Sequence, residues 1–175
     1  MARQKELLMV DGYNIINSWT SLEDSKEQSL EEARDKLIHI LAEYAHYSNY
    51  EITVVFDAYK VKGRYTNEET LRGINVVFTE ELMTADQYIE QYLDRYGRER
   101  RIRVATSDRI EQEVILSRGG IRVSARELEA EIEDRFAEAK RKQKITNIKN
   151  NYHITFREEK WKDTLKKAMK KKIRE

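Results

Sequence analysis

Apolar and polar positions along the chain predict strands and helices in alternation. LLMV (7–10), ITVVF (52–56), INVVF (74–78) and IRVA (102–105) are short, nearly continuous apolar runs, and their Val/Ile/Leu content predicts strands buried on both faces. Between the first two runs, Ser29 followed by Glu32 predicts a capped helix through Tyr47, with Leu30, Ala33, Leu37, Ile40, Leu41 and Tyr44 along one stripe. Thr84 with Gln87 and Asp108 with Glu111 predict the starts of two further helices. Gly119–Gly120 marks a turn before a short fifth strand, Ile121–Val123, and Ser124 with Glu127 opens a helix expected to run to about Lys142. Strands that alternate with helices imply βαβ units, so the expected fold class is α/β, an open and mainly parallel sheet flanked by helices.

Two stretches depart from this rhythm. Residues 58–73, AYKVKGRYTNEETLRG, read as a long connection with Tyr59, Lys60, Lys62, Arg64 and Tyr65 in its first half, and long loops in compact domains are often functional. Beyond residue 145, Tyr152, Ile154 and Phe156 alternate like a short strand. Trp161, Leu165, Met169 and Ile173 then form a narrow stripe on a lysine-rich helix.

Charge sharpens the division. The formal net charge of the 175 residues is only +1, but residues 1–137 carry 19 Lys/Arg against 27 Asp/Glu, whereas residues 138–175 carry 14 against 5. An acidic body therefore wears a basic tail, and binding to a polyanion has to come from the tail and from local basic loops. The expected organisation is a catalytic domain over residues 1–142 and a basic extension over 143–175. The chain has no cysteine, which excludes disulfides, thiolate zinc sites and cysteine nucleophiles, and with three histidines any metal must be held mainly by oxygen. No run approaches the length of a membrane span, and the N-terminus leads straight into the first strand. A cytoplasmic protein without a cleaved signal or membrane association is expected.

The chemistry is concentrated in aspartates. Asp11 follows the first strand, Asp57 follows the second, Asp86 lies just after the loop leaving the third, and Asp108 follows the fourth. In an open parallel sheet these positions share the carboxyl edge, where ligands bind at the reversal of strand order. Carboxylates brought that close repel one another unless a cation compensates, so the four acids point to a divalent metal at this edge, and hard oxygen ligands favour Mg²⁺ or Mn²⁺. Three of the acids also have a plain structural role open to them: Asp11-Gly12 is a common turn dipeptide, Asp86 complements a helix dipole, and Asp108 serves as an N-cap. Asn14, Thr106 and Ser107 add neutral hydrogen-bonding groups beside the carboxylates, and Thr106 and Ser107 are equally ordinary turn residues.

The stretches VDGYNII (10–16), VVFDAYKVKG (54–63), VVFTEELMTADQYIE (76–90), VATSDRIEQ (104–112) and GGIRVSARELEAEI (119–132) resemble the YacP group of NYN-domain nucleases, relatives of the PIN-like fold. The resemblance implies a PIN-like sheet, an acidic metal site and endoribonuclease activity, with ribosome association known within the group. It carries over Asp11, Asp86 and Asp108 as the core of the site, with Asp57 and Asn14 in support.

The expected reaction is metal-assisted hydrolysis of an RNA phosphodiester, the substrate being mRNA in association with the ribosome, leaving a 5′-phosphate and a 3′-hydroxyl. Lys60 and Arg64 are expected to contact phosphates and Tyr59 to stack on bases, with Asn14, Thr106 and Ser107 also at the substrate. Arg98, Arg100, Arg101 and Arg103 enter the fourth strand from its other end and are expected to matter little to cleavage. Two other functions remain open: an aspartate-based phosphatase, weakened because no second acid stands two positions after Asp11, and a non-catalytic adapter for RNA or the ribosome.

Overall fold

Six strands form one sheet in the order β3-β4-β2-β1-β5-β6. The computed structural model describes the backbone of residues 5–57 and 67–172 and the side chains of residues 5–57 and 68–148. β1 (Glu6–Asp11) is central and pairs in parallel with β2 (Tyr50–Phe56) on one side and β5 (Ile102–Ala105) on the other. β4 (Ile74–Phe78) extends the parallel array beyond β2, and β6 (Ile121–Val123) extends it beyond β5. The five expected strands are all present, and the sheet is mainly parallel as expected.

The strands are buried on both sides because helices cover both faces. On one face Ala85, Ile89 and Leu93 of α4 (Ala85–Tyr96), with Ile115 of α5 (Arg109–Ser117), pack onto Leu7, Met9, Val55, Val77, Ile102 and Val104. Side chains alternate across a strand, so Leu8 and Val10 face the other way. That side is covered by α1 (Gly12–Ser18) and α3 (Leu30–Tyr47), with the short α2 (Glu23–Gln28) packed between α1 and α3. The first turns of α6 (Ala125–Lys172) close it, where Leu128 and Ile132 are buried and Trp19 Nε1 donates to the Ala125 carbonyl at 2.8 Å. The Glu131 carboxylate accepts from Tyr44 at 2.6 Å and from both Arg103 Nη atoms at 2.7 and 3.0 Å, joining α3, β5 and α6.

Two expectations are corrected. The expected loop 58–73 contains a strand, β3 (Asn67–Leu71), antiparallel to β4 with Leu71 opposite Ile74. The two-residue turn between them places Arg72 at φ 53° and Gly73 at φ 87°, the pair of positive values that lets a tight turn follow the twist of its strands. β3 has little apolar content because it is an edge strand whose pairing comes from β4. The alternation at Tyr152, Ile154 and Phe156 is not a strand: α6 continues through it to Lys172, thirty residues past the expected end near Lys142. No glycine or proline occurs after Gly120 to interrupt the helix.

The chain divides into units Met1–Arg135 and Phe136–Glu175, and the basic extension from residue 143 lies in the second. No helix among the described residues is long and apolar enough to cross a membrane.

Gly12 is required by close approach. A Cβ there would lie 2.2 Å from the Phe56 ring, which is fully buried and stacked on Phe78 at 5.6 Å between centroids. Gly12→Ala is expected to destabilise the protein by about 1–3 kcal/mol through overpacking, and to disturb Asp11 next to it. Urea denaturation measures the change, and wild-type stability in this variant would show that the ring moves freely.

Candidate metal centre

Four segments bring acids to the carboxyl edge of the sheet. Asp11 ends β1 and caps α1, its Oδ1 accepting from Asn14 N at 3.2 Å, so the Asp-Gly pair is a helix start rather than a free turn. Asp57 follows β2 directly, and its Oδ1 accepts from Ala85 N at 2.6 Å. That bond ties the first residue of α4 to the end of β2. Asp86 then falls in the first turn of α4, whose capping box by Thr84 and Gln87 is complete. Asp108 caps α5, accepting from Ile110 N at 2.8 Å and Glu111 N at 3.4 Å, while the Thr106 hydroxyl accepts from Asp108 N at 3.1 Å.

The arrangement follows from the order of the strands. From β1 the chain builds outward through β2 to β4, and α4 then crosses the face to reach β5 on the other side of β1. The reversal lies between β1 and β5, where Asp11 and the turn from Thr106 to Asp108 face each other. The crossing helix brings in Asp86.

The fifth acid is Glu111. One carboxylate oxygen from each of Asp11, Asp86 and Glu111 lies within 4.8 Å of the others. The sequence pattern assigns Glu111 to the cap of α5 beside Asp108, but its side chain is buried at 5% exposure, and neither of its oxygens receives a hydrogen bond of ordinary geometry. The signal lay in the periodicity: Glu111 is four residues before the fully buried Ile115, so it shares the inward stripe of α5. Asp108 is exposed, and one of its oxygens is committed to the helix cap. Its charge still bears on both Asp86 and Glu111.

Burial and mutual repulsion set the electrostatics. Burial, then the charges of Asp86 and Asp57, push the Asp11 carboxyl up to about 7 against the pull of its bond from Asn14 N. Burial also raises Asp86, whose hydrogen bond with Asp11 works the other way. Glu111 is pushed up to about 8, first by burial and then by the charges of Asp11, Asp86 and Asp108, with the Thr106 hydroxyl opposing. Among the described residues none of these five acids is in a salt bridge. An all-oxygen cluster of this kind, with no cation paired to it among the described residues, fits a hard divalent metal ion.

The neutral groups form one network beside the acids. Asn14 Oδ1 accepts from Ser107 N at 2.6 Å and from the Ser107 hydroxyl at 2.5 Å, and the Ser18 hydroxyl donates to Ser107 Oγ at 2.9 Å. This fixes the Asn14 amide with its oxygen toward Ser107 and leaves Nδ2 as the available donor. Thr106 is fully buried, its carbonyl accepting from Gln112 Nε2 at 2.8 Å, so it supports the turn from within. Tyr59, Lys60 and Arg64 lie outside the described residues. The segment that carries them leaves the sheet at Asp57 and returns at Asn67, which pairs with Phe78 at the end of β4. Both anchors are on the carboxyl edge.

The sequence matches the YacP-like NYN domain family over residues 8–175. The chain belongs to that family. Among YacP-like NYN proteins it is 44% identical over 157 residues to the uncharacterized protein YacP of Bacillus subtilis, covering 88% of this chain and 91% of that one. Its fold is similar to a crystal structure of Rae1 (YacP) from Bacillus subtilis, with a TM-score of 0.68 and 43% identity over 90% of this chain and 91% of the other. A crystal structure of a mutant of that Rae1 gives a TM-score of 0.70 and 42% identity, covering 81% and 84%. A YacP-like NYN domain places the chain among PIN-like nucleases, and its acidic cluster sits at the switch point of the sheet.

Proposed function

We propose that this protein is a metal-dependent endoribonuclease that hydrolyses RNA phosphodiester bonds, acting on mRNA in association with the ribosome. The observation that carries this reading is the convergence of Asp11, Asp86 and Glu111 in a nuclease-type domain, with one carboxylate oxygen from each within 4.8 Å of the others.

Asp11, Asp86 and Glu111 would hold Mg²⁺ or Mn²⁺, with Asp108 within electrostatic reach through the oxygen not used by its cap. A divalent ion bound there supplies Lewis acidity toward the phosphodiester and lowers the pKa of water. Asp57 holds the start of α4, and therefore Asp86, in place through its bond from Ala85 N. Ser107 orients Asn14 so that Nδ2 donates to a phosphate oxygen of the substrate. Lys60 and Arg64 contact neighbouring phosphates and Tyr59 stacks on a base, because their segment is anchored at this edge by both ends. His39 and His46 lie on α3 rather than on the turns that carry the acids, so they do not form an acid–base pair there for attack by the RNA 2′-hydroxyl. The products are therefore a 5′-phosphate and a 3′-hydroxyl.

The test incubates defined RNAs, with and without ribosomes, in EDTA, Mg²⁺ and Mn²⁺. Metal-dependent cuts with 5′-phosphate ends, retained when the scissile nucleotide lacks its 2′-hydroxyl, are expected. Cleavage that persists in EDTA and needs the 2′-hydroxyl would overturn the reading.

The basic segment 143–175 serves as the docking element for structured RNA, a reading supported by its excess of lysine and arginine. Phosphate contacts release counterions, so binding through it falls steeply with salt. Ribosome binding by the full chain and by a truncation ending near Lys142 should differ in both affinity and salt slope. Equal slopes would remove the segment from docking.

A further inference from the structure

α4 packs chiefly over β1 and β2, and a cavity of about 340 Å³ lies between it and the outer strands β4 and β3, a volume within the range of small-ligand sites. Its floor comes from the sheet: Thr53 of β2 is paired with Asn75 of β4, and Val77 lies two residues beyond Asn75 on the same face. Its wall is aromatic. Tyr88, Tyr92 and Tyr96 of α4 recur every four residues and so form one stripe of the helix.

These rings are held in place by other contacts. The Tyr88 hydroxyl donates to Glu68 of β3 at 2.8 Å, Tyr92 is hydrogen-bonded with Arg100, and the Tyr92 and Tyr96 rings lie 4.8 Å apart between centroids. Tyr88 and Tyr92 rest partly on the core, and Tyr96 is 37% exposed. A wall already fixed in this way needs little further ordering to accept a flat ligand.

The charges decide which ligand fits. Glu51 at the cavity is already paired with Arg100 at 2.7 Å, which leaves one acid, Glu68, and one base, Arg95. Glu68 offers the oxygen that Tyr88 does not use, and the Arg95 guanidinium lies 6.0 Å from the centroid of the Tyr96 ring. Both side chains are exposed, and among the described residues neither is in a salt bridge. Tyr88 and Tyr96 are about two helical turns apart, so the acceptor and the donor stand toward opposite ends of the wall. A cation would be opposed by Arg95, and a phosphate by Glu68. A neutral ring with donors on one edge and acceptors on another satisfies both charges and stacks on tyrosine. Guanine has that pattern, with N1–H and N2–H₂ as donors and O6 and N7 as acceptors that suit an arginine. We infer that this cavity binds a guanine base stacked on the tyrosine wall, with Glu68 accepting from N1 and N2 and Arg95 donating to O6 and N7. The base comes from a free nucleotide or from RNA, and the second source rests on the ribonuclease reading above, for which the cavity selects the strand.

The full-length protein in EDTA is titrated by calorimetry with guanosine, adenosine, cytidine and uridine 5′-monophosphates, with hexauridylate, and with the same hexamer carrying one central guanosine. Guanosine monophosphate should bind saturably, at least tenfold more tightly than the other three nucleotides, and should shift the Tyr92 and Tyr96 ring signals in NMR spectra. Preference for the guanosine-containing hexamer over hexauridylate identifies RNA as the source, and binding of the mononucleotide alone identifies a free nucleotide. Glu68→Gln keeps an acceptor for Tyr88 and Arg95→Gln alters an exposed position, so both variants should fold. Each should weaken the guanine ligand at least tenfold and erase its advantage over adenine. Equal affinity for all four nucleotides, no saturable binding of either guanine ligand, or wild-type affinity in both variants would overturn the inference. EDTA separates this result from cleavage: absent guanine binding beside intact metal-dependent cutting would sink this site alone.

Discussion

Asp11→Asn, Asp86→Asn and Glu111→Gln are each expected to lower RNA cleavage by at least about a hundredfold while the protein stays folded. Each substitution keeps the size of the side chain and removes one anionic oxygen from the cluster. The amide oxygen introduced by Asp11→Asn would still accept the bond from Asn14 N that caps α1, so the loss would be chemical rather than structural. Glu111→Gln is the most informative of the three, because a residue that only capped α5 would tolerate it. Asp108→Asn also keeps its cap and loses charge, and is expected to reduce cleavage by about tenfold or more. Asp57→Asn should have the mildest effect, since its bond from Ala85 N needs only an acceptor. The assay is single-turnover cleavage of a defined RNA in Mg²⁺ and Mn²⁺, with circular dichroism to check folding. Wild-type rates in two of the first three variants would refute the proposed centre.

The second large effect is on stability. Asp11 and Glu111 are raised in the folded protein to about 7 and about 8, from ordinary values of 3.8 and 4.5. The folded state thus holds protons that the unfolded chain gives up. Their stabilising contribution is fully present below about pH 4 and is lost as pH rises through 7 to 8. Without metal, the protein should lose on the order of 2–5 kcal/mol between about pH 5 and about pH 9 from these groups. Mn²⁺ or Mg²⁺ should restore stability, and more at about pH 8 than at about pH 5, because the ion binds the deprotonated acids. Glu111→Gln should flatten the metal-free profile and be more stable than wild type at the higher pH. Urea denaturation at both pH values, in EDTA and in Mn²⁺, measures all three effects. Metal-free stability that is level across this range in wild type and unchanged by Glu111→Gln would contradict the buried, proton-sharing cluster.

The sheet and most of its edge chemistry are legible in the chain alone. The four central strands are continuous apolar runs because they are buried on both faces, and a run of that kind is visible without knowing its neighbours. The helix starts at Ser29, Thr84 and Ser124 are legible because a cap is satisfied within three residues. Asp11, Asp57 and Asp108 stand at strand ends, and a parallel sheet sends every strand end to the same edge. Other features needed the folded chain. β3 is a strand only because β4 pairs with it, as NEETL has no strand pattern of its own. Glu111 joins the cluster only because α5 packs onto the sheet with that side turned inward, which sequence adjacency to the Asp108 cap concealed. Arg100 and Glu51, 49 positions apart in the chain, pair at 2.7 Å only because β2 and β5 flank β1 and begin side by side. Local hydrogen bonds and strand burial leave their mark on neighbouring residues, whereas convergence of distant side chains depends on packing, which no short stretch of sequence records.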